Sequence, residues 1–161
     1  MPKVHDNAQV EDLPLSKAAE YLLEECRMIL PGIQALFGFQ LVVVFNNSFT
    51  EKLGPTQQRL HLVAISLIVV AIALVMAPAA YHRQTSPTKI TATFISLSTR
   101  LVLLSMVPLS LGICLDLYLI VQIIVPGVFG PILAIVVFVV FLTLWFILPR
   151  VKALQRILTA L

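Results

Sequence analysis

Asp116 is the residue best placed to do chemistry, because it is the one carboxylate lying inside a long apolar run of this chain. Holding a charged carboxylate in hydrocarbon costs between about 2.5 and more than 10 kcal/mol, so such a group marks an ion or proton path, pairs across helices, or sits at headgroup level. Arg100 lies sixteen residues earlier, about 24 Å along one helix, too far to pair with Asp116 in one subunit. If the span begins at Arg100, the same distance carries Asp116 to the opposite headgroups. A second polar group precedes the first apolar run. Glu20, Glu24 and Arg27 share a helical face that continues through Pro31 to Gln34 and Gly38, either a polar line climbing into the membrane or an exposed face that ends there. Glu24 or Glu25 paired with Arg83 or Arg100 would lock helix ends together. The candidate ion path or helix lock is therefore Asp116, Arg100, Glu24, Glu25, Arg27 and Gln34.

Other chemistries find less support. His61 and His82 are 21 residues apart, about 31 Å on a helix, and share no metal or haem site in one subunit. No HExxH, Walker A or GxSxG string occurs, so neither enzymatic activity, nor a metal, nor a cofactor is expected. Cys26 and Cys114 fall at opposite membrane faces, too far apart to bridge, and are expected to act as small packing residues. The net charge is +3, but the bases sit beside apolar segments without the interleaved aromatics of an RNA-binding stripe. Anionic lipid headgroups, not nucleic acid, are the expected partner.

The elements that must position these residues are membrane spans. Hydrophobic residues make up 59% of the 161 and charged ones 12%, about half the charge of a soluble domain. Residues 62–80 run nineteen long with only Ser66 and Pro78 interrupting, and roughly 20 apolar residues cross a bilayer. The pattern predicts an all-α polytopic protein with four transmembrane helices, at about 28–49, 60–80, 97–121 and 130–149. An amphipathic helix over 13–30 leads into the first, with Ser16 placed to cap it. Pro31 and Gly32 are expected to kink or break the junction. Gln34 and Gln40 are each expected to face another helix. Ala73, Ala77, Gly127 and Gly130 permit close helix approach. Residues 1–12 read as a mobile cytoplasmic tail and 150–161 as a short amphipathic tail on the membrane surface.

Six acids and three bases in residues 1–27 do not make a cleavable leader, so the first span reads as an uncleaved anchor. Nine Lys and Arg fall on one side and only Lys52 and Arg59 on the other, which places both termini in the cytoplasm. Tyr81, His82, Arg83, Trp145 and Arg150 are the expected membrane-interface anchors.

The string Glu25-Cys26-Arg27-Met28-Ile29-Leu30-Pro31-Gly32-Ile33-Gln34-Ala35-Leu36-Phe37-Gly38-Phe39, followed by Ala77-Pro78-Ala79-Ala80-Tyr81-His82-Arg83, resembles an uncharacterised family of small bacterial four-span membrane proteins. Its members often carry the label sodium:proton antiporter. The resemblance implies a small transport-type protein of the bacterial inner membrane, a cation or proton transporter or channel. The residues themselves leave open a structural or interaction protein whose polar groups only orient helices. Few helices enclose little protected volume, so a homo-oligomer is expected.

Overall fold

The computed structural model describes residues 13–85 and 89–151; the tails over 1–12 and 152–161 lie outside them. Among the described residues the elements are all helical: α1 (Leu15–Val44), α2 (Asn47–Lys52), α3 (Pro55–Thr85), α4 (Ala92–Ile124) and α5 (Phe129–Leu142). α5 runs on through a π turn (Thr143–Ile147) and a 3-10 turn (Leu148–Arg150). α1, α3, α4 and the stretch Phe129–Arg150 are each long and apolar enough to cross a membrane.

α1 is a single helix of 30 residues that passes through Pro31, so of the kink or break expected there, the break does not occur. Proline forfeits only the bond to the carbonyl one turn back, and transmembrane helices tolerate that where neighbours and local adjustment absorb it.

Burial follows a seven-residue repeat. In α1 the buried residues include Ala19, Cys26, Ile33 and Gln40, and in α3 they are His61, Ala64, Ile68, Ala71, Val75 and Pro78. In α4 Ser98, Ser105, Gly112 and Leu119 keep the same step. Alternating steps of three and four are those of a left-handed helical seam, the commonest packing of membrane bundles. Small residues dominate the α3–α4 contact. A Cβ built on Gly112 would stand 2.8 Å from Ile68 Cδ1 and 3.2 Å from the Ala64 carbonyl oxygen, so glycine is what lets these backbones meet. Of the small residues singled out from sequence, Ala73 is exposed and Ala77 half-buried. Gly130 does fill a tight place, its would-be Cβ lying 3.1 Å from Gln122 Nε2.

The two ends of the bundle are closed differently. At the α3–α4 turn Thr91 caps α4, its hydroxyl accepting from the Phe94 amide at 3.2 Å. Phe94 packs between Tyr81, with centroids 6.1 Å apart, and His82, at 5.2 Å. At the opposite end the Gln122 side chain clasps the α4–α5 turn, donating to the Gly127 carbonyl at 2.9 Å and accepting from its amide at 3.2 Å. Gly127 has φ +135°, a conformation that L side chains rarely adopt. α5 packs on α4 and fully buries only Gly130, so most of its surface is open.

Candidate functional site

Asp116 meets two partners from two other helices. Gln40 of α1 donates its Nε2–H to Asp116 Oδ2. His61 of α3 places Nδ1 3.1 Å from Asp116 Oδ1 and Nε2 3.1 Å from the Gln40 carbonyl oxygen. The three polar residues thus close a ring across α1, α3 and α4. Gln40 is 4% and His61 6% exposed, and the Asp116 side chain 16%, so the ring lies largely inside the bundle.

The partners fix where hydrogens stand. A backbone carbonyl can only accept, so His61 Nε2 carries hydrogen and donates. As a hydrogen bond, the Nδ1–Oδ1 contact then requires one further proton, either on the imidazole facing a carboxylate or on a carboxylic acid facing a neutral ring. Both forms have zero net charge, which is how an ionisable pair becomes tolerable in a low-dielectric medium. Gln40 Oε1 is the exception to this pairing: it is buried and has no hydrogen-bond partner among the described residues.

The ring sits at the end of the bundle that carries α2. Gln40 is four residues before the end of α1, His61 six after the start of α3, and Asp116 eight before the end of α4, hence about 6, 9 and 12 Å from those ends. α2 covers this end: Phe49 and Leu53 pack with Leu119, and the Phe49 ring lies 5.4 Å from the His61 ring at 59°. Beside the ring is a cavity of about 180 Å³ lined by Leu36, Phe39, Gln40, Val43, Leu53, His61, Asp116, Leu119, Ile120 and Ile123. Phe39 is 72% and Ile120 53% exposed, so this cavity opens sideways between α1 and α4, on the surface that faces lipid.

The other residues expected at a path or lock are elsewhere. Arg100, Glu24, Glu25, Arg27 and Gln34 are all exposed, and among the described residues no ion pair joins Glu24 or Glu25 to Arg83 or Arg100; the ion pair found is His61–Asp116. Gln34 therefore differs from Gln40, which does face other helices. Arg27 and Arg83 share the lining of one hollow between α1 and α3. Trp145 packs against Phe141 at 4.6 Å, and Arg150 donates to the Phe146 carbonyl at 2.7 Å. Cys26 and Cys114 are buried free thiols. Replacing Glu25 by Gln is expected to leave thermal unfolding in detergent within about 0.5 kcal/mol of the parent, the range of exposed substitutions; a larger loss would reveal a lock with a partner outside the described residues.

His61 and Gln40 were not singled out from sequence as partners of Asp116. The available signal was a joint one: Gln40 and His61 fall on buried repeat positions, the half-buried Asp116 stands one turn from Gly112 on the α4 seam, and all three lie within about 12 Å of helix ends at the same face of the bundle.

Four spanning-length apolar helices with a polar ring buried among three of them define a multi-pass membrane protein. The chain belongs to the family of unknown function DUF6328, whose family model matches residues 14–149. No curated protein and no solved structure matches the chain.

Proposed function

We propose that this is a transport-type membrane protein that takes up and releases a proton at the His61–Asp116 pair. The observation that carries this reading is an ionisable pair, held by Gln40 and walled by apolar side chains, inside a spanning bundle. Ionisable residues at such positions characteristically serve ion or proton traffic. α4 has 33 residues and is about 50 Å long, about 20 Å more than the hydrocarbon thickness. With that excess shared between its ends, Asp116 stands just inside the hydrocarbon boundary, within reach of one aqueous face only. Beyond it the α3 seam continues as Ala64, Ile68, Ala71 and Val75, and the α4 seam offers only the hydroxyls of Ser105 and Ser98, about 10 Å apart along the helix and too far for a direct relay. Crossing therefore calls for a second arrangement of the helices or a second copy of the chain, and a homo-oligomer belongs to the proposal. So do a bacterial inner membrane, cytoplasmic termini, contacts with anionic headgroups through Arg27, Arg83 and Arg150, and the absence of enzymatic chemistry.

The partnered geometry also favours a second reading, in which the ring is a clamp that only ties α1, α3 and α4 together. Flux separates the two. Purified protein in liposomes carrying pH and sodium dyes is expected to pass protons above the level of empty liposomes, and Asp116→Asn to return that flux to background. Absence of flux across several cations and pH values would leave the clamp.

A further inference from the structure

The hydrogen-bonding capacity of the ring is lopsided. His61 spends one N–H on the Gln40 carbonyl, and Gln40 spends an N–H on Asp116. What remains unspent is acceptor capacity: the buried Gln40 Oε1 and the further lone pairs of the Asp116 carboxylate. A complementary guest brings N–H or O–H donors, and a carboxylate favours one that also brings positive charge. The cavity beside the ring, about 180 Å³ and lined in part by Gln40 and Asp116, slightly exceeds the ~150 Å³ that accommodates a benzene ring. Its walls, Leu36, Phe39, Val43, Ile120 and Ile123, are apolar, and its mouth faces lipid.

We propose that the crevice beside Asp116 binds the head of an apolar organic ammonium that enters sideways from the bilayer, exchanging it for the proton shared by His61 and Asp116. This rests on the reading of that pair as a proton site and names its substrate class. The exchange balances. The ammonium, with one positive charge, takes up its place beside Asp116 and donates N–H groups to the carboxylate. His61 gives up its Nδ1 proton to water at the nearby helix ends and remains neutral, still donating Nε2–H to the Gln40 carbonyl. The site has no net charge before or after, so one cation enters as one proton leaves. A hard metal cation fits poorly, because it demands several oxygen ligands and the described residues offer no group of three His, Cys, Asp or Glu.

The test uses the full chain in lipid nanodiscs with benzylammonium as the probe, titrated calorimetrically in two buffers of different protonation enthalpy. The titratable groups lining the cavity are His61 from α3 and Asp116 from α4; α1 contributes Leu36, Phe39, Gln40 and Val43 and α2 Leu53, none of which titrates. The expected result is saturable binding with about one proton released per molecule, and an affinity rising about tenfold per pH unit as long as the empty pair holds its shared proton. Benzyltrimethylammonium, equal in charge but without N–H donors, is expected to bind the same protein at least about tenfold more weakly, as is benzylammonium to Asp116→Asn. The first of these comparisons needs no variant to fold. Equal affinity for the two ammonium ions, or no saturable binding, overturns the ligand class; if Asp116-dependent proton flux persists on the same preparation, the proton site survives it. Binding without proton release overturns the exchange, and with flux also absent the proton site falls too.

Discussion

His61→Leu is expected to destabilise the protein by about 3–5 kcal/mol, the range seen when a buried ion pair loses one member and the other stays behind uncompensated. Asp116 would keep the Gln40 amide but lose the group that shares its proton. The double variant His61→Leu/Asp116→Leu is expected to recover most of that loss, because leucine at both seam positions removes the stranded charge along with the pair. Equilibrium unfolding in mixed micelles of the four proteins of this cycle measures the coupling directly. Single effects that simply add would mean that the pair is not coupled in the folded chain. The double variant also bears on function: as a folded bundle without its proton site, it should be as inactive in liposomes as Asp116→Asn.

The second large effect concerns Gly112. The Ile68 side-chain tip could swing away from an added Cβ, but the Ala64 carbonyl, 3.2 Å away, belongs to the α3 backbone and cannot move alone. Gly112→Val adds two methyl groups beyond that Cβ. The expected cost is at the upper end of the about 1–3 kcal/mol typical of overpacking, or above it. The wedge sits one turn below Asp116 on α4 and opposite the turn of α3 that follows His61, so it should part the pair as well, and proton flux should fall with stability. Gly38→Ala is the control. Apart from its chain neighbours and its own helix backbone, no atom of the described residues lies within 4 Å of a Cβ there, and alanine's better helix propensity should leave stability unchanged or raise it by up to about 1 kcal/mol. If Gly112→Val unfolds no more readily than Gly38→Ala, the close approach of α3 and α4 is not what holds the bundle.

The architecture was readable from sequence because a bilayer leaves so few solutions. Apolar runs such as 62–80 can satisfy their backbone only as helices, and their number and length follow from counting. The site was not readable in the same way. Asp116 and Arg100 were weighed on one helix, and His61 only against His82, because spacing along a helix is what sequence exposes. The contacts that matter join residues 55 and 76 positions apart, and they depend on how helices rotate and slide against one another. Polarity alone misled in one direction as well: Glu24, Glu25, Arg27, Gln34 and Arg100 outnumber the buried polar ring yet lie exposed, whereas Gln40, one uncharged residue, supplies two of its three bonds.

The seven-residue seam carries a penalty of ambiguity that the polar ring removes. Apolar repeats of similar size, such as Ala64, Ile68, Ala71 and Val75 in α3, fit a neighbouring helix almost as well after a slide of one repeat, about 10 Å. Such a slide would strand Asp116, His61 and Gln40 against methyl groups in a medium that offers no replacement partners. The ring therefore acts as an index mark. It gives three otherwise repetitive helices a single alignment, much as one buried asparagine sets the pairing of a coiled coil, and it does so whatever passes through the site.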